Sequence, residues 1–140
     1  MMPSDPVVQL LRSQQLHVSV PYAYAASTEA PSRLVFTAGA CPLDAEGRTV
    51  AVGDVAGQTE QVMANLRIAL QAGGAELTDV LKTTVYVASS SRDDLGAAWQ
   101  VVRRHFGEHD APSTLLGVTV LGWPDQLVEV EAVAVARTSD

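Results

Sequence analysis

The C-terminal stretch Leu127-Val-Glu-Val-Glu-Ala-Val-Ala-Val-Ala136 alternates along its whole length. Leu127, Glu129, Glu131, Val133 and Val135 fall on one side, and Val128, Val130, Ala132, Ala134 and Ala136 on the other, the two-residue period of a β-strand. In its second half both sides are apolar, so the sheet containing this strand must be covered on both faces. The helices that the rest of the chain offers can cover only one. The other face is expected to meet a second copy of the chain in a closed homo-oligomer; the alternative is an alanine-rich edge strand left in water.

Upstream, Gly122-Trp-Pro-Asp125 reads as a turn, preceded by a strand at about Thr114 to Leu121. A helix opened by Ser91 or Asp93 runs through Leu95, Ala98, Trp99, Val102 and Phe106 to Gly107. Val80-Leu-Lys-Thr-Thr-Val-Tyr-Val-Ala88 is rich in β-branched residues and short, and is read as a strand. Asp54 is placed to cap a helix whose Val55, Val62, Leu66, Ala69 and Leu70 form one apolar stripe, stopped by Gly73 and Gly74. Before it come a short strand at about Thr49 to Val52, a turn at Asp44-Ala-Glu-Gly47, a strand over Arg33 to Ala38 closing at Gly39, and a strand over Leu16 to Val20 ended by Pro21. Residues 1–15 are expected to form an arm with at most one helical turn, and residues 16–140 one domain. The predicted order is βββαβαββ: an α+β fold with a mixed six-stranded sheet and two helices on one face.

The chain has 140 residues, enough for one domain, and is 47% hydrophobic but only 5% aromatic, too apolar for disorder. Sixteen acidic against nine basic residues give a net charge of −7, and no basic run exceeds Arg103-Arg104, which argues against nucleic acid as a partner. No apolar run is long enough to span a membrane and no signal sequence is visible, so a cytoplasmic protein is expected. One cysteine, Cys41, and three histidines, His17, His105 and His109, do not suggest a metal site.

The chemical inventory is short. Phosphate-binding loops, nucleophile elbows and Cys-x-x-Cys motifs are missing from the sequence. Cys41 is either a reactive thiol or a small buried residue, and His105 and His109 suit a helix C-terminus. Glu129 and Glu131 share one face of their strand about 7 Å apart. A carboxylate there, set among Leu127, Val133 and Trp123, could act on water as a general acid or base; alternatively one or both pair with an arginine such as Arg33. Tyr22 and Tyr24 could orient a small polar ligand or pack at a subunit rim.

Several segments, taken together and in order, resemble the Rid family of YjgF-type reactive-intermediate deaminases. They are Val20-Pro-Tyr22; Phe36-Thr-Ala-Gly-Ala40; Asp54 with Gln58, Met63, Asn65 and Leu66; Asp79-Val-Leu-Lys-Thr-Thr-Val-Tyr-Val87; Phe106; Ala111-Pro-Ser-Thr114; and Leu127-Val-Glu-Val-Glu-Ala132. The resemblance implies a chorismate-mutase-like subunit assembled as a homotrimer, with small-molecule clefts between subunits. Members of the family hydrolyse 2-imino or 2-enamino acids, such as 2-aminoacrylate, to 2-keto acids and ammonia without metal or organic cofactor.

Carried over residue by residue, the resemblance makes Glu129 the catalytic residue that positions water, and Tyr22 and Gly39 part of the substrate site. Ala38 stands where a serine is common, and Leu115 and Leu116 where a serine and a cysteine often occur, which makes the cleft more apolar. Thr114 stands where deaminases carry an arginine for the substrate carboxylate. A single hydroxyl cannot replace that bidentate fork, and the loss would cost on the order of 2–4 kcal/mol of binding. Arg33 is a candidate to compensate from another strand or subunit. Two functions follow: hydrolysis of an imine or enamine to a carbonyl compound and ammonia, or a binding module for a small metabolite without turnover.

Overall fold

A computed structural model describes residues 7–30 and 32–137. Its elements are β1 (Gln9–Leu11), β2 (Ala25–Ser27), β3 (Arg33–Phe36), α1 (Val55–Ala72), a 3-10 turn (Leu77–Asp79), β4 (Val80–Val87), α2 (Arg92–Phe106), β5 (Ser113–Gly117) and β6 (Val128–Ala136). The main sheet has the order β3-β6-β4-β5. Strand β6 is antiparallel to both β3 and β4, whereas β4 and β5 are parallel. A parallel pair needs a crossover, and α2 supplies it. The α+β architecture, with a mixed sheet and two helices, is the one expected.

The sheet differs from the expectation in strand count. Four strands form it, and β1 and β2 make a separate antiparallel ribbon. Residues 16–20 form turns rather than a strand, with Leu16 and Val18 exposed. Alternation shows which side chains could share a face, but it does not by itself supply a pairing partner, and residues 16–20 pair with neither edge strand, β3 or β5. The chain there is tied down by other means: Arg12 Nη1 donates to the carbonyls of Val20 (3.0 Å) and Tyr22 (2.9 Å), and the Tyr24 hydroxyl to that of His17 (2.7 Å). In the predicted N-terminal arm, residues 1–6 lie outside the described residues, and Gln9–Leu11 is a strand instead of a helical turn.

The strand expected at 49–52 reduces to one bridge between Leu43 and Thr49, because Ala51 (φ 48°) and Gly53 (φ 81°) leave the extended conformation at once. The turn before it forms as predicted, with Asp44 Oδ1 accepting from the amides of Glu46 (3.0 Å) and Arg48 (2.9 Å). Strand β5 stops at Gly117, short of Leu121.

Both helices lie where their stripes predict. Asp54 caps α1 by accepting from the Gly57 amide at 3.0 Å, and Gly73 closes the helix. Val62, Met63, Leu66 and Leu70 of α1 and Ala98, Val102 and Phe106 of α2 pack on Val85, Val87, Val128, Val130, Ala132 and Ala134. Each fully buried aliphatic side chain contributes about 1.5–3 kcal/mol. The opposite face of the sheet carries Leu34 (45% exposed), Phe36 (71%) and Leu116 (40%), together with Val133, Tyr86, Glu129 and Glu131. A subunit with apolar residues on both faces of its sheet is what the last strand's sequence requires.

Candidate functional site

The open face of the sheet is built in rows set by strand register. Glu129 lies opposite Tyr86, which neighbours Leu116, and Glu131 lies opposite Thr84, which neighbours Thr114. Beyond β3 the ladder continues irregularly: Thr37 pairs with Ala132 and Ala40 with Val130, so Ala38 and Gly39 together face the single residue Glu131. This is a one-residue bulge, a device that re-aims backbone and side chains beside sites. Ala38 is exposed at its crest.

The bulge brings Gly39 against Glu129. A Cβ at position 39 would lie within 2.6 Å of Cγ of Glu129 and nearer still to its carboxylate, so the missing side chain makes room for the acid. Glu129 Oε1 accepts from Cys41 Sγ (3.3 Å) and from Gln126 Nε2 (3.0 Å). Among the described residues Oε2 receives no protein donor, which leaves it for water or a ligand. Gln126 is itself buried; its Oε1 accepts from the Trp123 amide at 3.0 Å, and its Nε2 also donates to the Val128 carbonyl at 3.1 Å. Burial, and then the neighbouring Glu129 carboxylate, push the Cys41 thiol up to about 11, so at neutral pH it is a proton donor and not a nucleophile.

Two polar side chains of α1 hold this cluster. Buried Gln58 donates from Nε2 to the Asp125 carbonyl (2.9 Å) and accepts the Leu127 amide (2.7 Å), fixing the entry into β6. Asn65 Nδ2 donates to the carbonyls of Cys41 (2.8 Å) and Leu43 (2.9 Å), fixing the exit from the bulge. Glu131 is occupied differently. It accepts the Tyr86 hydroxyl at 2.6 Å, a bond that raises the phenol's pKa, with burial adding to the effect.

Tyr22 and Thr114 line a different feature, a cavity of about 600 Å³ between the ribbon and the sheet. Tyr22 packs edge-on to Tyr24 there, with centroids 5.9 Å apart. Thr114 and Glu129 are two strands and two residues out of step, about 12 Å apart by standard sheet spacings. Within one chain the candidate residues therefore fall in two separate groups, one at Glu129, Gly39 and Ala38, and one at Tyr22 and Thr114.

Two sequence expectations are corrected. Leu115 does not face the site: it is in register with buried Val85 and packs against the core, so only its neighbour Leu116 reaches the open face. Arg33 does not approach the site either. It turns to the helix side of the sheet, where Nη2 lies 3.4 Å from the Gly73 carbonyl at the end of α1, and neither Glu129 nor Glu131 pairs with it. Sequence reasoning also left Cys41 open and did not single out Gln126. The glutamine's only sequence signal was its place three residues before Glu129, at the end of the turn.

An α+β subunit with helices on one sheet face and a glutamate seated in a glycine bulge on the other defines a recognisable class. The family model described as Endoribonuclease L-PSP matches residues 13–136. A RutC family protein of Pyrococcus horikoshii is 35% identical over 100 residues, 71% of this chain and 77% of that protein. The 2-iminobutanoate/2-iminopropanoate deaminase of Salmonella typhimurium is 33% identical over 106 residues, 74% of this chain and 80% of that enzyme. Among solved structures, a protein of the conserved Rid family from Yersinia pestis superposes with a TM-score of 0.82 at 31% identity, covering 92% of this chain and 98% of that one. The chain belongs to the Rid family of YjgF and L-PSP-type proteins.

Proposed function

We propose that the protein is a homotrimer whose inter-subunit clefts bind a small metabolite, and that it hydrolyses a reactive imine or enamine to a carbonyl compound and ammonia. The observation carrying this reading is the Glu129 carboxylate, held through Oε1 by Gln126 and Cys41, with Oε2 seated beside Gly39 and receiving no protein donor among the described residues. An oxygen so presented can take a proton from water as that water attacks an electrophilic carbon, and can return it to the leaving nitrogen. A deaminase acting on 2-iminobutanoate and 2-iminopropanoate and a 3-aminoacrylate deaminase among the relatives support the same chemistry.

The trimer is supported by the apolar open face and by the separation of the two residue groups, because packing one sheet beside another offers Glu129 of one copy a partner cavity on the next. Thr114 in place of the carboxylate-holding arginine sets the substrate apart from simple 2-imino acids. RNA cleavage, which the family description names, is disfavoured by the net charge of −7.

The test is ammonia release from freshly generated 2-aminoacrylate and from imines lacking a carboxylate. Turnover lost in Glu129→Ala supports hydrolysis. Ammonia release from 2-aminoacrylate only in Thr114→Arg would exclude 2-imino acids for the parent, and no turnover on any imine would leave the non-catalytic binding module.

A further inference from the structure

Gln126 closes the turn before β6: its backbone amide donates to the Trp123 carbonyl at 3.1 Å, and its side chain is buried with every polar atom engaged. Oε1 accepts from the Trp123 amide at 3.0 Å, and the two protons of Nε2 go to the Val128 carbonyl (3.1 Å) and to Glu129 Oε1 (3.0 Å). Two of these three partners are backbone groups of fixed polarity. Turning the amide over would set its oxygen against the Val128 carbonyl and the Glu129 carboxylate, and its N–H groups against the Trp123 N–H. The amide is therefore locked, and it stays locked whether Glu129 is ionised or protonated.

A second donor serves the same oxygen. Cys41 Sγ lies 3.3 Å from Glu129 Oε1 and 3.4 Å from the Gly39 carbonyl, and both of these atoms are acceptors for the thiol proton. A proton placed on Oε1 would meet the N–H of Gln126, which has nothing to accept it with. Oε2 differs: it sits beside Gly39 and receives no protein donor among the described residues, so it is the oxygen able to carry a proton.

We propose that Gln126 is a positioning residue for the hydrolysis: its locked amide keeps Oε1 an acceptor and confines the travelling proton to Oε2. This role rests on the hydrolytic reading, and goes beyond it in naming the atom that carries the proton and the side chain that decides it. Water bonds through its oxygen to the imine carbon as one of its protons passes to Oε2 and on to the nitrogen, giving a carbinolamine. The hydroxyl proton of the carbinolamine then takes the same route as the C–N bond breaks, giving a carbonyl compound and ammonia. A single oxygen serves both transfers, so the acid need not turn over between them.

The experiment compares Gln126→Met and Gln126→Glu with the full-length parent, as initial rates of ammonia release from freshly generated 2-aminoacrylate and from imines lacking a carboxylate. Rates are taken above the uncatalysed background from acid to alkaline pH, with melting temperatures to establish that each variant is folded. Gln126→Met removes the donor, and kcat is expected to fall about tenfold to a hundredfold with KM nearly unchanged. Gln126→Glu keeps an acceptor for the Trp123 amide but sets a second carboxylate where the donor stood. Its kcat should be low at neutral pH and recover towards acid pH, where one proton shared by the two carboxyls restores a donor. The other titratable neighbours of Glu129 do not produce such a recovery: the Cys41 thiol and the Tyr86 phenol across the ladder are both raised and ionise only in alkaline solution, and Glu131 is the same in parent and variants. Should Gln126→Met fail to fold, the pH profile of Gln126→Glu decides alone. Parental kcat in a folded Gln126→Met, or a loss in Gln126→Glu that is equal at every pH, would overturn the role of Gln126 while the hydrolytic reading stood. A parent that releases ammonia from no imine would overturn the hydrolytic reading, and this role with it.

Discussion

Gly39 and Glu129 are a fitted pair: the carboxylate arm of Glu129 occupies the space where any side chain at position 39 would stand. The backbone at position 39 is held by its neighbours, since Ala40 exchanges amide and carbonyl bonds with Val130 at 2.7 and 3.2 Å. Neither partner can yield without breaking the ladder or moving the acid.

Gly39→Ala is therefore expected to push Glu129 off its seat while leaving the core intact. Overpacking of this kind costs about 1–3 kcal/mol, and a displacement of about 1 Å at a catalytic group can cost about a hundredfold in rate. Urea denaturation together with kcat/KM for imine hydrolysis measures both. A variant with parental kcat/KM would show that the seat does not matter to the chemistry.

The thiol of Cys41 gives a pH signature. Its folded-state pKa of about 11 lies above its ordinary 9.0, so the folded protein holds this proton more tightly than the unfolded chain. The stability it lends is complete below about pH 9 and is lost as pH rises through about 11. Thermal melts of the parent and Cys41→Ala across this range should converge at the alkaline end. Alkylation by iodoacetamide should be slow at pH 7, and a fast rate there would contradict the assignment of Cys41 as a donor to Glu129.

Gln58 tests how far α1 controls the site. Gln58→Leu keeps much of the volume but strands the Leu127 amide and the Asp125 carbonyl, at about 1–3 kcal/mol for each buried group left unsatisfied. The melting temperature should fall, and hydrogen exchange at Leu127 should accelerate more than at Val85 in the centre of the sheet. Uniform acceleration would indicate general loosening instead of a local clamp.

Asp79 is buried and accepts from Arg137 Nε at 3.0 and 3.2 Å and from the Glu76 amide at 2.9 Å, tying the end of β6 to the start of β4. Arg137 is half exposed, so solvent screens part of the interaction, and Arg137→Met should cost about 1–3 kcal/mol by chemical denaturation. A loss indistinguishable from zero would mean that water replaces the guanidinium fully.

Phe36, exposed in the single chain, should be buried in the proposed trimer. Light scattering of the parent is expected to give three times the 14.8 kDa of one chain, and Phe36→Asp should shift the mass towards one chain without loss of helical signal. A monomeric parent at micromolar concentration would remove the inter-subunit cleft.

What the amino-acid sequence determined by itself is whatever depends on local periodicity and composition: the apolar stripes of α1 and α2, the Asp54 cap, the β-branched run of β4 and the alternation of β6. It also put forward Glu129, Tyr22 and Gly39 as candidates through their resemblance to the ordered motifs of the family. Tertiary structure alone decided which edges pair, as when Gln9–Leu11 joined Ala25–Ser27 and residues 16–20 were left in turns. It decided that Leu116 faces the site and Leu115 the core, since a one-residue change of register exchanges the two faces of a strand. It also turned Arg33 towards the end of α1 and seated Cys41 on Glu129. These placements depend on pairing register and bulges between segments far apart in the chain, and such long-range geometry leaves no periodic trace in the sequence.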